Sequence, residues 1–439
     1  MASPLARADV LLPPPNIILP NYDRTLVGNI PSLEAGAYGS RANDASSNWY
    51  NPAGLMHAKK TVINASSSAY RVTGVKAETG NTTTGASTGA QPPSFLGLVL
   101  APPVLGSDHV RFGFSVTNET YWAPVLQTRV NQTTAAGDDQ RFLYSTRDYF
   151  TETFPAFAMA YAPSESLRVG GAVAVDIVSY QANDSLSGQQ TNATSQEISY
   201  RGSQISANSM NVVFSAGTQY DLAERWKLSL TLKSPSLRLN GSSKVTIENI
   251  RNASGTTTDT AFFDMAGRFA YSRPFQAGIG VAYVAPAFEI ELDARYHAAI
   301  GPYTAFSSSQ PIVTTSNTGG APTTTNSSIN DVVNQYRNVV NVAIGTRFKL
   351  TESFDLHGGF FTSKSPLADG DSSIFRKVDL YGITLGAAFK IGSVSGSLGG
   401  AYEFGKSDPY QVPNANGAPL VTTVSVTSIS LLYAVSLSL

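Results

Sequence analysis

Three absences in this sequence narrow the class of protein before any motif is considered. The chain of 439 residues has no cysteine, which suits passage through an oxidising compartment. It has no apolar run of about 18 residues, so a membrane-spanning helix is excluded. Charged residues make up only 14% of the chain, well below the roughly 25% of soluble domains. With a net charge of −1, the chain also has no electrostatic attraction for nucleic acid.

What the chain has instead is a series of short segments in which apolar residues alternate with small or polar ones. Successive side chains of a β-strand point to opposite faces, so this alternation predicts strands with one apolar face. The clearest segments are 110–117, 210–217, 226–233, 288–297, 381–389 and 429–439. Less regular ones are 61–75, 94–101, 154–162, 168–180, 274–284, 338–350, 354–363 and 394–404.

The connections between these strands alternate in length. Long polar loops are predicted at 76–93, 118–150, 181–208, 240–272, 298–337, 364–378 and 405–420, and short turns at 102–109, 163–167, 221–225, 285–287, 351–353 and 391–393. The alternation predicts an all-β fold, a 14-stranded antiparallel up-and-down transmembrane β-barrel of the bacterial outer membrane, with short periplasmic turns and long outside loops. Both termini are then periplasmic. The amphipathic residues 263–271 are assigned to a loop, because a fifteenth strand would break the alternation. A soluble β-sandwich or solenoid does not account for this pattern.

The residues before the first strand form a separate unit. Residues 1–8 resemble the end of a signal peptide, with small residues before a cleavage point after Ala8. The next segment, 9–58, contains Pro13-Pro14-Pro15 and then a stretch of small residues. It is too long for a tail, and a barrel of this size has room for a plug. We therefore expect 9–58 to fill the lumen and 59–439 to form the barrel.

The order of residues at the end of this segment carries a family resemblance. Asn43-Asp44-Ala45 precedes Asn51-Pro52-Ala53-Gly54, which stands just before the first strand. Together with the position and the strand count, this resembles the hatch of the FadL-type outer-membrane transporters, which take up long-chain fatty acids and aromatic hydrocarbons. The motif covers about residues 35–60, and the topology covers most of the chain. The Pro-rich start and the C-terminal Leu439, where such barrels usually end on an aromatic residue, depart from the family pattern.

The resemblance implies passive transport of hydrophobic small molecules, such as fatty acids or hydrocarbons, with lateral exit through a gap in the barrel wall. In the family the gap lies at a kink in the third strand, which here implicates Asn118, Trp122 and Pro124. Pro124 has no N–H for a ladder, and Asn118 tolerates irregular backbone. Alternatively this stretch simply begins an outside loop, with Trp122 as an interface anchor. The expected partners are a hydrophobic ligand, membrane lipid and lipopolysaccharide, and the expected state is a monomer.

Polar residues in the phase opposite to the apolar one are expected to face the lumen. The densest run is Glu291, Asp293, Arg295 and His297, and Arg347 and Phe361 share the phase. The run either forms a polar network between hatch and wall, or Arg295 or Arg347 binds a ligand carboxylate. Phe361 suits the path of a hydrophobic ligand.

Three other functions stay open at this point. One is a structural or docking role for a FadL-like barrel in an outer-membrane assembly. Another is a general polar porin with the N-terminal segment outside the lumen. An enzyme is disfavoured, because no zinc, P-loop or nucleophile motif is present and His109 beside Asp108 stands alone; no cofactor or metal is expected. Residues 328–336 suggest a short loop helix, which in the family would form an apolar capture groove.

Overall fold

The computed structural model of the chain describes residues 21–79, 82–88, 95–101, 109–122, 126–133, 137, 139–191, 195–253, 256–310, 312–316, 323–327, 331–368, 377–414 and 417–439. The expected signal-peptide remnant, residues 1–8, and the start of the predicted hatch lie outside these ranges. Within them, no helix is both long enough and apolar enough to cross a membrane.

The chain forms fourteen antiparallel strands, several of them in two or three segments. Strands 1 to 7 are Val62–Thr79, Thr82–Thr88 with Phe95–Leu100, Val110–Trp122 with Leu126–Thr133, Asp139–Tyr161, Leu167–Thr191, Gln196–Ala223, and Trp226–Lys233 with Leu237–Ala253. Strands 8 to 14 are Thr256–Phe269 with Gln276–Val284, Phe288–His297 with Ile300–Ser307 and Ile312–Ser316, Thr323–Ser327 with Val332–Tyr336 and Val339–Lys349, Phe354–Ser363, Val378–Ile391, Val394–Ser407 with Tyr410–Asn414, and Gly417–Ser438.

The sheet closes on itself. Strand 1 pairs with strand 14 from Val62 opposite Ser438 to Thr79 opposite Thr422, and every other strand pairs with its neighbours in sequence. Closure satisfies the backbone groups of both edge strands, which a strand-built membrane protein requires. The predicted 14-stranded antiparallel barrel is confirmed. The start of strand 1 and the end of strand 14 lie opposite each other, on the side of the short turns.

Several strands extend much further than their apolar residues predict. Strands 5 and 6 have 25 and 28 residues, whereas about 9–11 residues cross a membrane. The prediction of long loops beyond residues 180 and before 209 was therefore wrong. These polar residues continue the ladder, because backbone hydrogen bonds to a paired neighbour do not depend on apolar side chains.

Two other local predictions were also wrong. Residues 263–269 are not loop: they end the first segment of strand 8, and their pairing with strand 7 preserves the even strand number. Val332–Tyr336 is a strand segment rather than part of a helix, and residues 328–330 lie outside the described ranges. Amphipathic residues in a short window fit either structure, and here the neighbouring strands decided between them.

The two faces of the barrel differ as the alternation predicts. Large apolar side chains point outward and are exposed, among them Phe114, Phe214, Ile279 and Leu385. The opposite phase carries small or polar residues that are buried in the interior, such as Ser115 and Asn211. This outward apolar surface is the surface a bilayer would cover.

Residues 21–58, here called the N-terminal segment, lie inside the barrel. The segment contains a short α-helix, Ser47–Tyr50, and a 3-10 helix, Pro52–His57. It hydrogen-bonds inward-facing residues on well-separated strands, including Glu403 on strand 13, Glu291 on strand 9 and Gln219 on strand 6. A segment that contacts the inner faces of opposite walls must occupy the space between them.

Inward-facing glycines let this segment approach the wall closely. A Cβ atom on Gly359 of strand 11 would lie 2.6 Å from the carbonyl carbon of Glu34 and 2.7 Å from the Cβ of Ala35. A Cβ on Gly217 of strand 6 would likewise collide with Asn51 and Pro52. The wall therefore contacts the backbone of the segment directly at these strands.

Candidate binding site in the barrel interior

The Asn-Pro-Ala-Gly motif makes contacts within the N-terminal segment and with strand 6. The Asn51 side chain accepts a hydrogen bond from the Ala53 N–H at 3.1 Å and donates to the carbonyl oxygens of Gly39 and Thr218 at 3.1 and 2.9 Å. Pro52 opens the 3-10 helix, where its missing N–H costs nothing. Gly54 faces Ala42 so closely that a Cβ would lie 2.7 Å from the Ala42 methyl. The motif residues thus make structural contacts.

His57 ends this helix and is partly buried against strands 5 to 7. Its ring nitrogen lies 3.1 Å from Oε1 of Gln219. Burial, together with the positive charges of Arg168 and Lys227, lowers the pKa of His57 to about 4. The imidazole of His57, at this end of the segment, is therefore neutral at pH 7.

Buried ion pairs tie the segment to strands 9 to 11. Arg41 bonds Glu291 at 2.7 Å and Glu289 at 3.0 Å, and also contacts Glu34. Glu34 in turn lies 2.6 Å from Nδ1 of His357. Burial raises the pKa of Glu34, but Arg41 and His357 outweigh burial and hold it below its usual value. These pairs fasten one turn of the segment to the wall.

Asp23 makes a second set of such contacts. It accepts from His297 at 2.8 Å and Asn341 at 2.7 Å, and it pairs with Arg295 at 3.4 Å. Burial alone would raise the pKa of Asp23, but His297 and Arg295 lower it well below its usual range. Arg295 also donates to the carbonyl oxygen of Gly36. These are the contacts expected of a polar network.

The other proposed luminal residues also have partners within the protein. Arg347 pairs with Glu289 at 3.1 Å and with Asp355 at 2.5 Å. Phe361 is buried against Ala35 of the segment and Ala343 of strand 10. A contact between a ligand and Arg295, Arg347 or Phe361 would require these partners to move.

The expected break in strand 3 is not seen on the side of strand 4. Each residue from Val110 to Trp122 has a partner there, including Asn118 opposite Thr153, whose hydroxyl donates to Asn118 Oδ1 at 2.5 Å. Strand 3 continues to Trp122, so the alternative that a loop begins at Asn118 was wrong, whereas the lateral gap stays a prediction. Pro124 lies outside the described residues.

On the other side of strand 3, Phe95 of strand 2 faces Thr117, and it also faces Ser66 of strand 1. Farther along strand 1, Thr73 faces Thr88. Residues 89–94, which precede Phe95, lie outside the described ranges.

A cavity lies between the N-terminal segment and strands 3 to 8. The space among its lining atoms is about 660 Å³, a volume that includes open solvent. Apolar, aromatic and cationic side chains line it, among them Trp49, Phe154, Ala174, Val213, Lys233 and Arg273. Ser115 and Thr117 bring strand 3 to its edge. About half of the lining residues are polar or charged, but apolar atoms form most of the exposed lining surface. A mostly apolar surface with polar groups at fixed positions is typical of a site for small hydrophobic molecules.

Two cations lie against the aromatic rings of the cavity. Lys233 Nζ is 4.3 Å from the centre of the Trp49 ring, and the Arg273 guanidinium is 4.6 Å from that of Phe154. The two rings meet edge to face at 5.3 Å. Contacts of this kind orient aromatic side chains by attraction between the cation and the ring face. No sequence pattern pointed to these four residues, although Trp49 stands only two positions before Asn51 of the Asn-Pro-Ala-Gly motif.

A metal centre has no support in the described ranges. They contain no group of three or more His, Asp or Glu side chains able to hold a metal ion. The described residues of the site offer apolar surface and hydrogen-bonding groups to a ligand.

The chain matches a protein-family model described as outer membrane protein transport protein (OMPP1/FadL/TodX) over residues 33–393. A FadL homologue from Pseudomonas aeruginosa is 14% identical, with a TM-score of 0.60, 95% of this chain and 99% of that chain covered. The toluene transporter TodX of P. putida is 14% identical, with a TM-score of 0.63 and coverages of 94% and 98%. The toluene transporter TbuX of Ralstonia pickettii is 12% identical, with a TM-score of 0.55 and coverages of 94% and 98%. No curated protein matches the sequence.

Proposed function

Because this chain belongs to the OMPP1/FadL/TodX family of outer-membrane transport proteins, we propose that it carries hydrophobic small molecules passively across the outer membrane. The observation that carries the proposal is the cavity beside the N-terminal segment, lined by Trp49, Phe154, Ala174 and Val213. Burial of apolar surface there would hold a hydrocarbon or an acyl chain. Solved relatives include two toluene transporters and a monoaromatic hydrocarbon channel.

We propose that residues 9–58 act as a hatch. The support is the fastening of the described part of this segment to several strands, by the ion pairs of Arg41 and Asp23 and by the close approach at Gly359. A segment held in this way prevents free passage along the barrel axis. Short turns and both termini would face the periplasm, as in other barrels of this kind. The outward apolar face would contact lipid and lipopolysaccharide, and a closed barrel needs no partner subunit.

Because the hatch would block passage along the barrel axis, we propose that the transported molecule leaves sideways through the barrel wall. We place the exit beside Thr117, which lies at the edge of the cavity and faces Phe95, the first residue of the second segment of strand 2. In the sequence Pro92 and Pro93 come just before this strand segment, and neither has an N–H to give to a ladder. The exit would then lie on the strand 2 side of strand 3.

The test compares two tryptophan substitutions at adjacent positions of strand 5. Ala174→Trp would fill the cavity, whereas Val173→Trp adds the same side chain to the outward, lipid-facing surface. We expect cells that depend on this protein to lose uptake of a radiolabelled hydrocarbon with Ala174→Trp and to keep it with Val173→Trp. Normal uptake by both variants would exclude the cavity as the route.

A structural or docking role in an outer-membrane assembly is the second candidate. The uninterrupted ladder between strands 3 and 4 favours it, because that side of strand 3 has no opening. In that case the unmodified protein would not increase uptake of any hydrophobic probe, and the two variants would not differ.

A further inference from the structure

An ion pair crosses the interior on the side of the cavity that faces the long hairpins. Glu152 lies on strand 4 and Arg273 lies between the two segments of strand 8. Their contact is bidentate, with Arg273 Nε 2.9 Å from one carboxylate oxygen and Nη2 2.7 Å from the other. Strands 4 and 8 are four steps apart, roughly 19 Å along the wall. The pair therefore spans the space in front of strands 5 to 7.

At the level of this ion pair, the inward-facing side chains of strands 4 to 6 change from apolar to polar. Along strand 4 the order is Phe150, Glu152, Phe154. Phe150 belongs to an apolar cluster nearer the long hairpins, and Phe154 lines the cavity nearer the short turns. Strands 5 and 6 contribute Asp176 and Asn211 to the polar level between them, joined by a hydrogen bond of 3.0 Å.

The carboxylates and the amide at this polar level are buried, and one of their acceptor atoms has no hydrogen-bond partner among the described residues. Glu152, Asp176 and Asn211 are each 0% exposed. Asp176 Oδ1 receives no hydrogen bond from any residue that the structure describes, and Asp176 lies within electrostatic range of both Glu152 and Arg273. A buried acceptor of this kind favours a donor brought by another molecule.

We infer that Glu152, Arg273 and Asp176 form a polar gate that admits hydrophobic molecules bearing a hydroxyl group in preference to plain hydrocarbons. The inference rests on the proposed transport function and names a cargo class for it. A hydrocarbon that separates Glu152 from Arg273 leaves the buried Glu152 carboxylate without its cation. A hydroxyl both accepts from the guanidinium and donates to a carboxylate, so an alcohol or a phenol restores the bonds that its passage breaks.

The fluorescence of Trp49 reports directly when a probe molecule reaches the cavity. The chain has three tryptophans, so Trp122→Phe with Trp226→Phe leaves Trp49 as the only one. The probes are 1-bromodecane and 10-bromo-1-decanol, which share a chain length and a bromine that quenches tryptophan on contact. Stopped-flow mixing with the purified protein in detergent gives an entry rate for each probe.

The decisive variant removes the gate but keeps the apolar volume. Glu152→Leu with Arg273→Met replaces both partners together, which avoids a lone buried charge. A matched control is Glu197→Leu with Arg251→Met, because that pair is also bidentate, at 2.7 and 2.8 Å, but is exposed. Asp176→Asn and Glu152→Gln keep the side-chain shapes and serve if the double variant fails to fold.

With the gate intact, we expect the bromoalcohol to enter about tenfold faster than the bromoalkane. A ratio of this size is expected when one hydrogen bond to a buried charge is lost and not replaced. The preference should disappear in the double gate variant, shrink in Asp176→Asn and Glu152→Gln, and persist in the control pair. Equal entry of both probes, or an unchanged preference in the gate variants, would overturn the inference. Absence of quenching by either probe would instead contradict the proposed function itself.

Discussion

The two sides of the barrel interior hold the N-terminal segment by different means. On the fastened side, strands 9 to 11, Arg41 and Asp23 make buried ion pairs with the wall. On the cavity side, strands 3 to 8, the segment presents Trp49 to a largely apolar space. Ion pairs fix distance and direction, whereas apolar surface accepts molecules of many shapes. The comparison shows how one insert is anchored firmly and still leaves room for a ligand.

The largest expected effect comes from breaking the fastened side at Arg41. Arg41→Met leaves Glu34 and Glu291 buried without their main cation, and we expect a loss of about 3–5 kcal/mol in stability. Arg347→Met is the control, because its side chain is 28% exposed and solvent compensates for the lost pair. Urea unfolding in lipid vesicles measures both variants. Equal losses would show that burial of Arg41 does not set the strength of the anchor.

A smaller effect is expected from pushing the segment away from strand 11. Gly359→Ala places a methyl 2.6 Å from the backbone of Glu34, whereas Gly358→Ala meets only ordinary contacts of 3.6 Å or more. We expect Gly359→Ala to cost roughly 1–3 kcal/mol and to raise ion conductance in planar bilayers. Gly358→Ala should do neither. A silent Gly359→Ala would mean that the segment shifts without strain.

On the cavity side the matching change is Trp49→Ala. The loss of an aromatic contact surface should weaken binding of an apolar probe roughly tenfold and leave the ion pairs of the fastened side in place. Trp226→Ala is the control, since this side chain lies on the outward face and is 46% exposed. Isothermal titration in detergent compares the two. Equal affinity for the probe in both variants would remove Trp49 from the site.

The smallest expected effect is a change of folding stability with pH, which tests whether His57 is neutral in the folded protein. The pKa of His57 is about 4 in the folded protein, below its ordinary value of 6.5. The unfolded chain therefore binds more protons as the pH falls through 6.5 towards 4, and stability falls with it. From pH 8 to pH 6 the loss is roughly 1 kcal/mol. His57→Gln should reduce this slope in urea unfolding at both pH values. An unchanged slope would assign it to other groups.

Prediction from sequence succeeded where a pattern was long and repeated. Each of the fourteen strands contains residues that alternate in polarity, and the closing pair, strands 1 and 14, was implied by the even count. It failed at strand ends, where polar residues such as 181–208 continue the ladder of strands 5 and 6. The loop prediction for residues 263–269 failed for the same reason. Pairing partners extend a strand beyond its apolar part, and partners are not visible in a local window.

The site shows the same division. The run from Glu291 to His297 was expected to meet charges of the N-terminal segment, and Arg41 and Asp23 are those charges. The cavity was not anticipated, because Trp49, Phe154 and Arg273 stand far apart in the sequence and each looks ordinary in its own context.

The sequence by itself determined the barrel, its closure and its two faces, because alternation with period two is a property of each strand alone. It also determined that an insert rich in small residues precedes the barrel. Only the tertiary structure decided which charges meet, that Glu152 reaches Arg273 across the interior, and where space remains beside Trp49. Those contacts join residues more than a hundred positions apart, and their geometry depends on the curvature of a closed wall that no local pattern encodes.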